Sequence, residues 1–190
     1  LKEYILFYKV NPNYQVSIQE PKIPKSEWDN EYKILVDGVT KDELCIVKQI
    51  MELDYPSKED IERGDKICSK MVFKNVNTLF SKKMSKQEKK QCLLENSYRI
   101  LRDVATSGGA KQISDEKKAL IKDAGAFLII TPKGKVYLMK GDYNDNAKQP
   151  RCKMLFADNY LEVNVGDFWH DIKTTGLGNE GKVEFLKGKK

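Results

Sequence analysis

Arg99 and Arg102 stand three positions apart in a run that opens on Asn96-Ser97. A guanidinium offers a rigid fork of donors that fits a phosphate, or the O6 and N7 edge of guanine, through two parallel hydrogen bonds. Further along, Lys133-Gly134-Lys135 lies between two apolar runs. A turn there would hold two ammonium groups out toward a phosphate. Asn144, Asp145, Asn146, Gln149 and Arg151 then gather in one polar stretch, and amide and guanidinium groups are the ones that pair with adenine and guanine edges. This is the chemistry of recognition rather than of bond making. Each group also has a plainer reading as a solvated helix face or a polar surface loop.

Bond-making sets are scarce. His170 is the one histidine, so no Ser/His/Asp arrangement can be drawn around several bases. Cys45, Cys68, Cys92 and Cys152 lack metal-ligand spacing. The first three sit among apolar neighbours of helical segments, which predicts small buried thiols in a reduced, cytoplasmic chain. Thr106-Ser107-Gly108-Gly109 lacks the Lys-Ser/Thr sequel of a phosphate-cradling loop. The formal charge of +6 is carried mostly by lysine, since Arg63, Arg99, Arg102 and Arg151 are the only arginines. Such a balance favours nucleic acid over an acidic partner. No apolar run approaches the roughly 18 residues of a membrane span. Leu1–Tyr8 lacks a basic leader and reads as a buried strand. A chain that opens on Leu1 and stops inside a basic run is expected to be a fragment of a longer protein.

Caps announce the elements that would position these side chains. Thr40-Lys41-Asp42-Glu43 is a capping box in which hydroxyl and carboxylate each take a free backbone N–H. It is followed by a stripe of Leu44, Ile46, Val47, Ile50 and Met51, then Leu53, and Tyr55-Pro56 ends that helix. Ser57 with Asp60 opens a second helix. Ser85-Lys86-Gln87-Glu88 opens a third, with Cys92, Leu93, Asn96, Ile100, Leu101 and Val104 as its buried face; on it Arg99 and Arg102 are neighbours. Ser114 is expected to cap a short helix through Ala124. Residues 28–36 fit either a helix or a strand. Phe127–Thr131 and Lys135–Met139 read as a hairpin closed by Pro132-Lys133-Gly134. Arg151–Ala157 alternates with Cys152, Met154 and Phe156 on one face, and Tyr160–Val165 adds a last strand. The expectation is a single α+β domain: a helical part over 40–124 beside a small antiparallel sheet over 127–165.

The two ends of the chain carry a resemblance. Trp169-His170-Asp171-Ile172, the loop through Gly176, Gly178, Asn179, Glu180 and Gly181, and Phe185-Leu186-Lys187-Gly188-Lys189-Lys190 resemble a segment of the modification subunits of type III restriction–modification systems. These are adenine-N6 DNA methyltransferases, and the segment closes their target-recognition region. Glu3-Tyr4-Ile5-Leu6-Phe7-Tyr8-Lys9 resembles the strand that precedes that region, and Asn96-Ser97-Tyr98-Arg99-Ile100-Leu101-Arg102 is similar to a stretch inside it. The resemblance implies that 1–10 end a methyltransferase core strand, 11–168 form the target-recognition domain and 169–190 return to the cofactor-binding half. Lys189 and Lys190 would then lie beside the adenosine pocket for S-adenosylmethionine, a cofactor of the parent protein and not of the fragment.

Neither Asp-Pro-Pro-Tyr nor Phe-x-Gly-x-Gly occurs, so no catalytic residue is expected within the chain. Asn11-Pro12-Asn13-Tyr14 is either an ordinary turn or a degenerate catalytic tetrapeptide, and the second reading would make the chain a small complete methyltransferase. The leading expectation is a DNA-reading segment, with Arg99, Arg102, Lys133, Lys135, Asn144, Asn146, Gln149 and Arg151 on duplex DNA. Its parent would be a prokaryotic cytoplasmic homodimer that works with a restriction subunit. The alternative is a protein-interaction module for dimerisation or for docking that subunit, without base reading.

Overall fold

Among the described residues a six-stranded antiparallel sheet, a two-stranded pair and four helices make this an α+β fold. The computed structural model describes residues 22–25, 27–121 and 124–164. Lys25–Leu161 form one compact unit. The short pair of β1 (Lys22–Pro24) and β8 (Glu162–Asn164) belongs to a second, with Ile23 opposite Val163. The remaining strands are β2 (Ile34–Asp37), β3 (Val72–Asn75), β4 (Ile100–Ala105), β5 (Ala126–Ile130), β6 (Val136–Lys140) and β7 (Arg151–Phe156). They lie side by side in the order β3-β2-β4-β7-β6-β5.

The capping boxes form as the sequence predicts. Thr40 opens α1 (Lys41–Glu52), Ser57 opens α2 (Lys58–Cys68) and Ser85 opens α3 (Lys86–Glu95), each with reciprocal side-chain and backbone bonds. Leu44, Val47 and Ile50 of α1, with Ile67, Cys68 and Met71 at the end of α2, bury against Val36, Leu101, Leu128, Leu138, Met154 and Phe156 on one face of the sheet. The opposite face is covered twice. At its β2/β4 end Leu93 of α3 joins Leu35, Ile100 and Val76, with Phe80 packed beside them. At its β5/β6 end α4 (Gly108–Leu120) sets Ala110 and Ile113 against Phe127, Ile129, Met139 and Tyr143.

Four expectations are corrected. The third helix stops at Glu95, where Asn96 caps it; a 3-10 turn over Ser97–Arg99 follows, and Ile100 begins strand β4. Ile100 and Leu101 are both fully buried, one in each core, so an apolar run that fits a helix face also fits a strand covered on both sides. Strands therefore run through the region expected to be helical. Ser114 caps nothing: it lies inside α4, which starts at Gly108 despite the two glycines, because Ala110 and Ile113 have a core to enter. A register shift between Val104 and Ala105 opposes Lys153 and Arg151 to them and leaves Cys152 as the extra residue of β7. Cys152 consequently joins the cluster of Phe127 and Met139, while Met154 and Phe156 face α1. Finally, Cys45 is exposed and Cys92 half-buried; of the four free thiols Cys68 and Cys152 are buried.

Candidate nucleic-acid interface

The polar loop between β6 and β7 is held from beneath. Tyr143 is buried, and its hydroxyl meets Ser114 Oγ at 2.9 Å and donates to Asp115 Oδ1 at 2.8 Å. Burial, with the Asp115 charge, pushes the Tyr143 hydroxyl well above the ordinary tyrosine range, so it stays a donor. Lys111 Nζ bonds Asp115 and the Asp145 carbonyl, and Lys118 Nζ bonds the Tyr143 carbonyl and the Asp145 carboxylate. Asn144 Oδ1 takes the Asn146 N–H at 3.0 Å, and Thr106 N–H closes the loop on the Pro150 carbonyl at 2.9 Å. The backbone is thus fixed while Asn144, Asn146, Lys148 and Gln149 remain exposed. The sequence places these amides on a loop; only α4 shows that the loop is braced.

The three arginines of this unit's strands and turns are held differently. Arg151 donates Nε to Asp103 Oδ1 at 2.9 Å and Nη2 to the Asp103 carbonyl at 2.6 Å, and pairs with Glu31 at 3.3 Å. These partners raise its already high pKa, the Asp103 bond first. Arg99 donates Nε and Nη2 to Asn96 Oδ1 at 2.9 and 2.7 Å, within the 3-10 turn. Arg102 makes no hydrogen bond to the described residues. Its guanidinium carbon lies 5.2 Å from the Tyr32 ring centre and 5.9 Å from that of Tyr160, and its nearest charge is Asp29 at 3.7 Å. Arg99 and Arg102 therefore do not share a helix face: one caps a turn and the other stands on the sheet.

Register shows what lies beside Arg102. It pairs with Leu155, and Val104 pairs with Lys153, so Arg102 and Lys153 are diagonal neighbours on the face opposite α1. All four are half-buried. Lys153 Nζ sits 3.4 Å from the centre of the Tyr137 ring and has no carboxylate partner among the described residues. Between the part of this face covered by α3 and the part covered by α4 there is thus a strip of two cations, each laid on tyrosine rings. The sequence alone does not point to Lys153, Tyr32, Tyr137 or Tyr160 as binding residues. The alternation of β7 carried the signal, since a strand that buries Met154 and Phe156 must turn Lys153 and Leu155 to the other side.

The hairpin tip is elsewhere. Gly134, at φ +77°, forms the turn expected there, and its carbonyl accepts the N–H of Tyr55 at 3.1 Å. Lys135 bonds Asp54 at 2.5 Å, while Lys133 is exposed. The tip is therefore docked on the α1–α2 connection. It lies at the opposite end of β6 from the braced loop, roughly 17 Å away along five residues of strand. The candidates are spread along the sheet: Asn144, Asn146, Gln149 and Arg151 at one end, Lys133, Lys135 and Arg99 at the other, and Arg102 within β4 between them. Lys189, Lys190, His170 and both terminal motifs fall outside the described residues, as do Asn11–Tyr14. No group of three or more His, Cys, Asp or Glu among the described residues is placed to hold a metal ion, and none of the described helices is long and apolar enough to cross a membrane. No protein-family model, curated protein or solved structure matches the chain.

Proposed function

We propose that this chain is the DNA target-recognition segment of a site-specific adenine-N6 DNA methyltransferase of a restriction–modification system. In this reading methyl transfer from S-adenosylmethionine is carried out by parts of the parent protein outside these residues. The observation that carries it is the braced loop at 141–150. A base-reading loop gains from being ordered before it binds, because the entropy of fixing it is then not charged against the complex. Here Ser114, Asp115, Lys111 and Lys118 fix the backbone and leave carboxamides outward, the groups that pair with adenine. The terminal resemblance supplies the enzyme class.

The test is a transplant followed by point substitutions within it. Moving the segment into a related methyltransferase is expected to change the sequence that is methylated. In that chimera Asn146→Ala or Gln149→Ala should relax discrimination at one position by about 1–3 kcal/mol. An unchanged methylation target, or a purified chain that shows no salt-sensitive affinity for duplex DNA, refutes the reading.

The protein-interaction alternative has one observation in its favour. β3 is an outer strand whose Val72 is 51% exposed, and an open strand edge can accept another strand. Cross-linking that joins β3 to another subunit, with no DNA affinity, would select it.

A further inference from the structure

We propose that Arg102 and Lys153 form a phosphate-gripping strip, in which tyrosine rings hold two cations ready for the backbone of a nucleic acid. The inference rests on the DNA-recognition reading above and deepens it by naming the residues that take phosphates rather than bases.

The geometry of Arg102 is that of a presented fork. Its Nε is buried without a partner among the described residues, whereas the side chain as a whole retains 28% exposure. The inner end of the guanidinium is enclosed and its outer edge reaches solvent. Tyr32 and Tyr160 contact the planar group without taking its hydrogen bonds. They restrict its rotation and leave its donors unspent. Trp28 supports that wall: its ring meets Tyr32 edge-on at 6.2 Å and its Nε1 donates to the Tyr32 carbonyl at 3.3 Å. The Tyr32 hydroxyl is also buried without a partner among the described residues, and burial pushes its pKa up to about 12, so Tyr32 is a neutral wall at any physiological pH. Asp29 balances the charge at 3.7 Å, beyond hydrogen-bonding distance. A phosphate offering two short charge-assisted bonds would outcompete it.

Lys153 completes the strip. On adjacent antiparallel strands diagonal positions lie about 7–8 Å apart, so the two cations can serve different oxygens of one strand. Lys153 is the second residue after Arg151, which itself follows the braced loop. Loop, Lys153 and Arg102 therefore succeed one another along β7 and β4. Arg151 is excluded from the strip because Asp103 and Glu31 already occupy its fork.

The test uses the complete 190-residue chain, with duplex oligonucleotides of several sequences and, separately, inorganic phosphate. Arg102→Gln and Lys153→Gln are each expected to weaken duplex binding by about tenfold at low salt. Each should reduce the slope of log affinity against log salt by about 0.9, equally for all sequences. Arg102→Lys should keep the slope and lose part of the affinity, because it keeps the charge and loses the fork. Tyr160→Leu, at an exposed wall residue, should weaken binding without changing the slope. Inorganic phosphate should shift the NMR signal of the Arg102 Nε–H in the wild-type chain.

Variants that leave duplex affinity and slope unchanged, together with an Arg102 signal indifferent to phosphate, overturn the strip and leave the DNA-recognition reading standing. A phosphate-responsive Arg102 in a chain that ignores duplex DNA upholds an anion site and removes the nucleic acid as its source. A variant that alters sequence preference instead of the salt slope makes the residue a base reader and refutes the phosphate role.

Discussion

Asp65 and Lys117 meet at 2.5 Å across the outer edge of β5, and between them they occupy the backbone of Leu128. Asp65 Oδ1 takes the Leu128 N–H at 2.8 Å, and Lys117 Nζ donates to the Leu128 carbonyl at 2.6 Å. An edge strand offers unpaired N–H and C=O groups to any passing strand. Here an ion pair from α2 and α4 fills one residue's worth of them. Asp65→Ala would strip a hydrogen bond from Leu128 and leave Lys117 partly buried without its carboxylate. We expect a loss of about 2 kcal/mol in urea unfolding, with self-association appearing in sedimentation at higher concentration. An unchanged unfolding midpoint would show that the pair is ornamental.

Gly134 is required for two separable reasons. Its φ of +77° disfavours other residues, and a Cβ built there would lie 2.7–2.8 Å from ring atoms of Tyr55. Gly134→Ala should therefore cost about 2 kcal/mol, falling to about 1 kcal/mol in a Tyr55→Ala background where only the backbone strain remains. A thermodynamic cycle over the four proteins checks this. Additive effects would mean that the ring moves aside freely.

Acid should unfold the chain through its caps. Glu43 and Glu88 are held below the ordinary carboxylate range by the N–H of Thr40 and Ser85, Asp60 by the Ser57 side chain, and Asp37 by its bond from Lys74. For Asp115, burial works in the opposite direction but is outweighed by the bonds from Lys111 and Tyr143. A group with a lowered pKa binds fewer protons when folded. It contributes stability above its unfolded value, about 4, and that contribution is lost as pH falls through the folded value. Melting temperature is expected to be level from pH 6 to 5 and to drop below about 4. Circular-dichroism melts would detect this, and a flat profile down to pH 2 would contradict it.

The thiols should separate by reactivity. Cys45 is exposed on α1 and reacts first with a disulfide reagent. Burial pushes the Cys68 and Cys152 thiols up, which lowers their thiolate fraction as well as their access. They should label only on unfolding, with Cys92 between. Peptide mapping after timed labelling gives the order, and early labelling at Cys152 would mean that the α4 side opens readily.

Short-range chemistry was readable from the chain alone. The boxes at Thr40, Ser57 and Ser85 and the turn at Gly134 depend on residues within four positions, so their side-chain and backbone requirements are written locally. The α+β class followed from the periods of those segments. The polar loop at 141–150 was readable as a loop for the same reason. What residues 100–105 become was not readable, because Ile100, Leu101 and Val104 satisfy a helix face and a two-sided strand equally, and partners far away in sequence, Ile34 and Phe156, decide between them. The fate of each candidate cation was likewise set by distant contacts. Asp103 and Glu31 occupy Arg151, Asp54 ties down Lys135, and Tyr32 and Tyr160 bracket Arg102. Composition can say that a charge is present, but whether its hydrogen bonds are already spent is a property of neighbours that only the folded sheet brings within reach.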